Sequence, residues 1–181
     1  MDFGSILDKI NSERNMATVM GMEFISTPDP DTCMARMKVD ENSRQPMGYL
    51  SGGASLALAE TLAGAGSSVL CPGKICVGIN VSGTHVKAVP EGDTVTAMAR
   101  IVHTGNTLHV WNVDITDTSG ELISTASATD RSAYQCYEHI RIQSACPLEK
   151  SSERFSRLMF LKNAVASRPM AGSVVMKDRS V

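Results

Sequence analysis

The sequence has almost no net charge and no paired-cysteine motif, and both absences exclude classes of function. Of 181 residues, 17 are Lys or Arg and 19 are Asp or Glu, which gives a formal net charge of -2. This balance provides no field that would recruit nucleic acid or an acidic membrane surface. The five cysteines are odd in number and form no C-x-x-C motif, and no basic-then-apolar leader occupies the first eleven residues. We therefore expect a reduced, cytoplasmic protein.

Long hydrophobic runs and cofactor motifs are missing as well. The stretch with fewest charges, residues 45–73, contains only three large apolar side chains between Ser51 and Ser68, and Glu60 lies near its middle. A carboxylate amid so little apolar bulk makes membrane insertion unfavourable. No P-loop, no G-x-G-x-x-G motif and no metal-ligand spacing of histidines and cysteines is present. The expected protein binds neither membrane nor metal.

The charge is unevenly distributed along the chain. Residues 1–133 hold nine Lys or Arg and fifteen Asp or Glu, whereas residues 134–181 hold eight and four. We therefore predict one domain over 1–133 and a basic C-terminal tail over 134–181. The tail is interpreted as a poorly ordered or loosely docked extension, or as an arm that binds a partner or an acidic surface.

Hydrophobic periodicity predicts an α+β domain. A short amphipathic helix over residues 5–14 precedes two strands near 21–26 and 32–39, and residues 52–70 form a long helix rich in Ala and Leu. Alternating residues then predict strands near 75–81, 95–101, 109–115 and 121–128. This order suggests a curled antiparallel sheet around a central helix. The helix's small residues suit close packing, or else a cofactor-binding surface.

Two features of the long helix suggest chemistry. Glu60 is the only charged residue between Arg44 and Lys74, so it has a partner or a task, or else it solubilises an exposed edge. Gly52 leaves the backbone N–H groups of the helix start accessible, either for steric reasons or to stabilise an oxyanion. Eight residues of helix separate the two by about 12 Å. One carbonyl can meet both only if a second chain contributes, with two helices antiparallel across a two-fold axis.

Three segments of the sequence resemble one known family. Residues 42–60 match the pattern N-x-x-Q-P-x-G-x-L-H-G-G-x-x-x-x-L-A-E of hotdog-fold acyl-CoA thioesterases, and similarity continues through 78–88 and 103–111. The branch concerned includes the 4-hydroxybenzoyl-CoA, phenylacetyl-CoA and 1,4-dihydroxy-2-naphthoyl-CoA thioesterases. The resemblance covers roughly residues 15–130. It implies the hotdog fold, hydrolysis of acyl-CoA thioesters and assembly as a homodimer or as a tetramer of two dimers.

The resemblance also implies roles for individual residues. Glu60 matches the catalytic carboxylate, which acts as nucleophile or as base for water. Gly52 matches the backbone N–H that polarises the thioester carbonyl, and Gln45 matches a side-chain amide close to it. No metal or cofactor is implied, because coenzyme A is part of the substrate. The groove for the substrate is expected along the remaining matched positions, which are Ser51, Gly53, Gly78, His85, Lys87, His103, Gly105 and Asn106, with Lys87 as a phosphate contact.

Two positions depart from the family pattern. Ser51 stands where the family commonly has His, and Gly64 stands where it often has Ser or Thr one helical turn after the carboxylate. These changes imply slower activity or a different substrate. They are also consistent with a non-catalytic acyl-CoA binding module on the same fold. A third interpretation is an interaction protein whose functional part is the basic tail. The histidines, including His109 beside Trp111, have a purely structural interpretation too.

Overall fold

The computed structural model describes residues 1–134. Three helices lie in this part of the chain: α1 (Gly4–Asn11), α2 (Met16–Val19) and α3 (Gly52–Leu70). The six strands are β1 (Glu23–Ile25), β2 (Thr32–Lys38), β3 (Lys74–His85), β4 (Thr94–Thr104), β5 (Leu108–Thr116) and β6 (Leu122–Tyr134). Apart from Tyr134, the predicted tail lies outside the described residues, so the division of the chain at 133 stays a prediction.

The strands form one antiparallel sheet in the order β1-β2-β4-β5-β6-β3. The sheet curls around α3, whose side chains between Ala54 and Ser67 supply much of the buried surface. This is the predicted α+β architecture of a curled sheet around a central helix, and it is confirmed. No helix within residues 1–134 has both the length and the apolar character needed to cross a bilayer.

The strand β3 lies at one edge of the sheet and runs back along α3. Among the described strands it pairs with β6 only, from Lys74 opposite Tyr134 to His85 opposite Ser124. A tight turn closed by the Lys74 N–H and the Cys71 carbonyl, 3.1 Å apart, reverses the chain between helix and strand. The start of α3 therefore lies near the end of β3, which determines where the candidate site residues lie.

Inward-facing residues of the central strands pack against α3, as the alternation predicted. Val95, Ala97 and Ala99 of β4 and Trp111, Val113 and Ile115 of β5 are all fully buried. The Trp111 indole lies so close to Gly66 of α3 that a Cβ there would be 2.8 Å from its Cη2. The small residues of α3 are thus needed for packing at this point, because a larger side chain would collide with the sheet.

The elements differ from their predicted bounds in several places, and the larger differences concern the two short helices and the strands β3 and β6. The first helix ends at Asn11 rather than at Arg14, and α2 was not predicted, although Asn15 and Thr18 form a capping box at its start. The strands β3 and β6, which pair with each other, are both longer than predicted, and β6 continues to Tyr134. Their extensions are rich in Ser and Thr, which weaken the hydrophobic alternation although the backbone ladder continues.

Substituting Gly66 with alanine is expected to destabilise the domain by about 1–3 kcal/mol, because the new Cβ must displace Trp111 in a close-packed core. Gly64→Ala is the matched control, since a Cβ at Gly64 meets no atom within 4 Å and alanine is favoured in a helix by about 0.5–1 kcal/mol. Urea denaturation measures the free energy of unfolding of both variants. Equal stability of the two would contradict the packing assigned to Gly66.

Candidate active site

The first part of the site is a cleft at the N-terminal end of α3. Gln45, Gly52, Ser55, His85 and Lys87 are among the residues that line it, and its volume is about 360 Å³. Gln45 belongs to a small loop in which its N–H donates to the Tyr49 carbonyl at 2.7 Å. The structure thus brings together four of the predicted site residues, which are Gln45, Gly52, His85 and Lys87.

The His85 imidazole lies directly against the helix start. A Cβ at Gly52 would be 2.7 Å from its Nε2, so only glycine fits there without displacing the ring. The Nδ1 atom of His85 is 2.9 Å from Ser124 Oγ, a hydrogen bond that orients the ring. An imidazole is therefore present at the helix start even though Ser51 replaces the histidine of the family pattern.

The second part of the site is Glu60, two turns further along α3. Its carboxylate lies against Gly78 of β3, where a Cβ would be 3.2 Å from Glu60 Cδ and closer still to Oε1. Within one chain Glu60 is solvent-exposed, which agrees with the alternative that it lies on an exposed edge. Helix geometry puts it about 12 Å from Gly52, which means that one chain does not bring the acid to the backbone donors.

Lys87 is held by two carboxylates rather than being free for a phosphate. Its Nζ is 2.7 Å from Asp117 Oδ2 and also forms an ion pair with Glu121. The hydrogen bonds to Asp117 and Glu121 raise the pKa of Lys87, and the hydrogen bond from Lys87 lowers the pKa of Asp117. Any phosphate bound by Lys87 would compete with these carboxylates. The sequence did not predict these ion pairs of Lys87.

Ser51 and Gly53 face away from the Gln45 cleft. Both line a separate depression of about 240 Å³, together with residues 42–44 and two methionines of the α2 region. Ser51 is the N-cap residue of α3 but makes no side-chain capping hydrogen bond. The structure therefore separates these two predicted substrate-binding residues from Gly52, their immediate neighbour in the chain.

The predicted residues His103, Gly105 and Asn106 belong to the end of β4 and the turn into β5. The Asn106 carbonyl accepts hydrogen bonds from Lys74 Nζ at 3.0 Å and from Ser132 Oγ at 3.2 Å. Lys74 begins β3, so this turn lies at the Glu60 end of β3 and not at the His85 end. Within one chain the predicted groove residues thus divide between the two ends of β3.

A buried polar cluster lies beneath the C-terminal half of α3. The Ser67 hydroxyl is 2.7 Å from Asp130 Oδ2 and accepts a hydrogen bond from Trp111 Nε1 at 2.9 Å. Asp130 lies directly opposite His109 in the β5–β6 ladder and opposite Gly78 in the β3–β6 ladder. Sequence reasoning missed Asp130, although it continues the inward alternation of Ala126 and Ala128. No cluster of three or more possible metal ligands exists in residues 1–134.

Comparison with known proteins identifies the family. The sequence profile of the Thioesterase superfamily matches residues 47–124. A Bacillus subtilis protein, ComA2, named provisionally as an esterase, is 38% identical over 122 residues, which are 66% of this chain and 95% of ComA2. The chain therefore belongs to the thioesterase superfamily, has its hotdog fold, and is a thioester hydrolase.

Two further proteins extend the comparison. The 1,4-dihydroxy-2-naphthoyl-CoA hydrolase of Escherichia coli K12 is 32% identical over 126 residues, which are 68% of this chain and 91% of that protein. The crystal structure of thioesterase HI1161 from Haemophilus influenzae has a TM-score of 0.67 at 30% identity, and the match covers 74% of this chain and 92% of HI1161. The resemblance noted in the sequence is thereby confirmed at the level of fold and enzyme class.

Gly78→Ala is expected to lower kcat at least about tenfold, because the added Cβ would displace the Glu60 carboxylate and a displacement near 1 Å costs catalysis heavily. Gly53→Ala is the control, since its Cβ would meet only Ser51 Oγ at 3.6 Å and its backbone N–H is retained. Steady-state thioester hydrolysis, with circular dichroism to establish folding, provides the measurement. A folded Gly78→Ala enzyme with unchanged kcat would separate Glu60 from the chemistry.

Proposed function

We propose that the enzyme hydrolyses acyl-CoA thioesters, aryl-CoA thioesters among them, to the free acid and CoA. Two supports come from the relatives: the matched segment 42–60, and the E. coli and Listeria monocytogenes relatives that carry the name 1,4-dihydroxy-2-naphthoyl-CoA hydrolase. The described cysteines Cys33, Cys71 and Cys76 are all free thiols. Free thiols suit the reducing cytoplasm, which is where we place the enzyme.

One observation carries the proposed mechanism, namely the separation of the site residues along one helix, with Gly52 at the start of α3 and Glu60 near its middle. Glu60 lies against Gly78, whereas Gly52 and Gln45 lie with His85 at the other end of β3. Thioester hydrolysis needs an attacking oxygen and hydrogen-bond donors around one carbonyl. We therefore assign each site to two chains, with Glu60 from one copy and Gly52 and Gln45 from the other.

The edge strand β3 provides the means of joining two copies. Within residues 1–134 it has a partner strand on one side only, and its residues Ile75, Val77 and Ile79 are 40%, 52% and 55% exposed. A long apolar edge strand is a strong template for pairing with another chain. Antiparallel pairing about an axis between Val81 and Ser82 would place Gly78 of one copy opposite His85 of the second copy.

That register brings the two parts of the site together. Glu60 lies against Gly78, and the start of α3 lies against His85. With Gly78 of one copy opposite His85 of the second copy, each Glu60 would approach the Gly52 end of the other copy. Two-fold symmetry makes two equivalent sites per dimer. The turn containing Gly105 and Asn106 would meet the cleft containing Lys87 of the other copy, which unites the divided groove. A tetramer of two such dimers is compatible with this arrangement, because the opposite face of the sheet stays available.

In the proposed reaction the thioester carbonyl oxygen accepts hydrogen bonds from the Gly52 N–H and the Gln45 amide. The positive end of α3 adds to the stabilisation as negative charge develops on that oxygen. Glu60 attacks the carbonyl carbon, or removes a proton from a water that does so. The tetrahedral intermediate collapses and the C–S bond breaks, releasing CoA thiolate, which His85 is positioned to contact at the helix start.

Glu60→Gln is expected to reduce hydrolysis of acyl-CoA substrates by at least about 10³-fold while leaving the fold intact, since the amide neither attacks nor accepts the proton. Glu23→Gln makes the same chemical change on β1, at the opposite edge of the sheet, and should leave activity unchanged. Release of free thiol from a panel of aliphatic and aryl-CoA thioesters provides the readout.

The same assay distinguishes a non-catalytic binding module on this fold, the alternative suggested by Ser51 and Gly64. A binder would show saturable affinity for acyl-CoA and no thiol release from the wild-type chain across the whole panel. Undiminished turnover in a folded Glu60→Gln variant would instead refute the role of this carboxylate.

A further inference from the structure

A pair of thiols lies at the C-terminal end of α3, outside the machinery assigned to hydrolysis. Cys71 is the C-cap residue of α3, and the turn that follows, with Gly73 at φ +80°, returns the chain as β3. Cys76 lies two residues after Lys74, and burial together with the neighbouring Cys71 side chain raises the pKa of Cys76. Both thiols are reduced and half-buried, so each is partly accessible to small molecules.

A histidine lies against the first of these thiols. His109 is 1% exposed, and its Nε2 is 3.7 Å from Cys71 Sγ. The Gly105 backbone beside the ring favours protonation of His109, although burial has the larger effect. In the neutral tautomer with the hydrogen on Nδ1, the Nε2 lone pair faces the Cys71 thiol. Burial lowers the pKa of His109, which keeps the ring neutral and able to accept a proton.

A buried carboxylate completes the arrangement. Asp130 is 1% exposed, and its Oδ1 has no hydrogen-bond partner among the described residues. A buried, half-satisfied carboxylate is rare and calls for a reason. Asp130 lies directly opposite His109 across the β5–β6 ladder, where its charge favours a protonated imidazole. Thiol, imidazole and carboxylate in this order match the general pattern of an activated nucleophile.

The third described cysteine, Cys33, lies in surroundings that differ from those of Cys71. Cys33 is fully buried on β2, and its Sγ is 3.8 Å from the Leu62 carbonyl. Burial raises the pKa of Cys33 to about 12. No histidine contacts it among the described residues. Thiols in such surroundings are inert. The oxidation rate of Cys71 can therefore be compared with that of Cys33 in the same chain.

We propose that Cys71 is a hydroperoxide-reactive thiol, with His109 as its proton acceptor and Cys76 as the resolving thiol, so that mild oxidation joins the two cysteines in a reversible disulfide. Cys71 transfers its proton to His109, and the thiolate attacks the peroxide. The O–O bond breaks, leaving a sulfenic acid on Cys71 and a hydroxide or alkoxide that takes the proton. The Cys76 sulfur then attacks the sulfenic sulfur, and water leaves with the remaining proton. A thiol reductant restores both cysteines.

The disulfide would tie the end of α3 to the beginning of β3. Cys76 lies two residues before Gly78, the residue against which the Glu60 carboxylate lies. Cys76 needs to reach only Cys71 of its own chain, so pairing of β3 with a second copy does not prevent the reaction. The site is independent of the hydrolysis mechanism, and it uses the buried groups that hydrolysis leaves without a task.

The test treats the reduced full chain with a small excess of hydrogen peroxide, blocks remaining thiols and digests with trypsin. Cleavage after Lys74 separates Cys71, on peptide 45–74, from Cys76, on peptide 75–87. The expected result is a linked pair of these peptides that disappears on reduction. We expect Cys71 to be consumed at least about tenfold faster than Cys33. Formation of a disulfide from Cys71 to Cys136 or Cys146 instead, or oxidation of Cys33 at the same rate, would overturn the proposal.

Variants separate reactivity from stability. Cys71→Ser should abolish the linked pair. Cys76→Ser should leave a sulfenic acid on Cys71 that a dimedone probe traps. His109→Gln should slow Cys71 oxidation at least about tenfold, with Cys33→Ser as the control that leaves the rate unchanged. If His109→Gln does not fold, Cys76→Ser still decides through dimedone labelling, because absence of label on Cys71 would overturn the proposal. Oxidation of Cys71 at the wild-type rate in a folded His109→Gln variant would also overturn the proposal.

Discussion

The antiparallel course of α3 and β3 is the constraint on which the rest of the structure depends. Because the strand returns along the helix, Glu60 lies beside Gly78 and the helix start lies beside His85. Glu60 and the backbone donors of the helix start are thus fixed at separate points along one strand, about 12 Å of helix apart. The same strand is an open edge among the described strands of the sheet. The geometry that divides the site within a chain therefore also provides the surface on which two chains can complete it.

Glycine is required where the helix, the strand and the site side chains approach closely. A Cβ at Gly52 would enter the His85 ring, one at Gly66 would enter Trp111, and one at Gly78 would enter the Glu60 carboxylate. Gly64, in contrast, has open space around it within one chain, so no contact inside the chain requires glycine there. The residues that look alike in the sequence therefore serve different purposes, and only the close approaches reveal which glycines are needed.

The sequence predicted the long helix over 52–70 to the residue, since its Ala and Leu pattern lies between clear breaks. Alternation located the central strands, and the isolated charge of Glu60 singled it out as the candidate acid, a role that stays a prediction. The sequence did not predict contacts between distant segments. These are the contacts of Lys87 with Asp117 and Glu121, of His85 with Ser124, and of Asp130 with Ser67. These pairs are 30 to 63 residues apart in the chain, and the sheet order that brings them together is not written in any local pattern.

The sharing of each site between two copies, with Glu60 from one and Gln45 and Gly52 from the other, is best tested by subunit complementation. Glu60→Gln and Gln45→Ala chains carrying different tags are co-expressed, and the mixed dimers are isolated by two successive affinity steps. Each mixed dimer contains one intact and one doubly altered site, so about half of the wild-type thiol release per dimer is expected. Activity no greater than the mean of the two separate variants would contradict it.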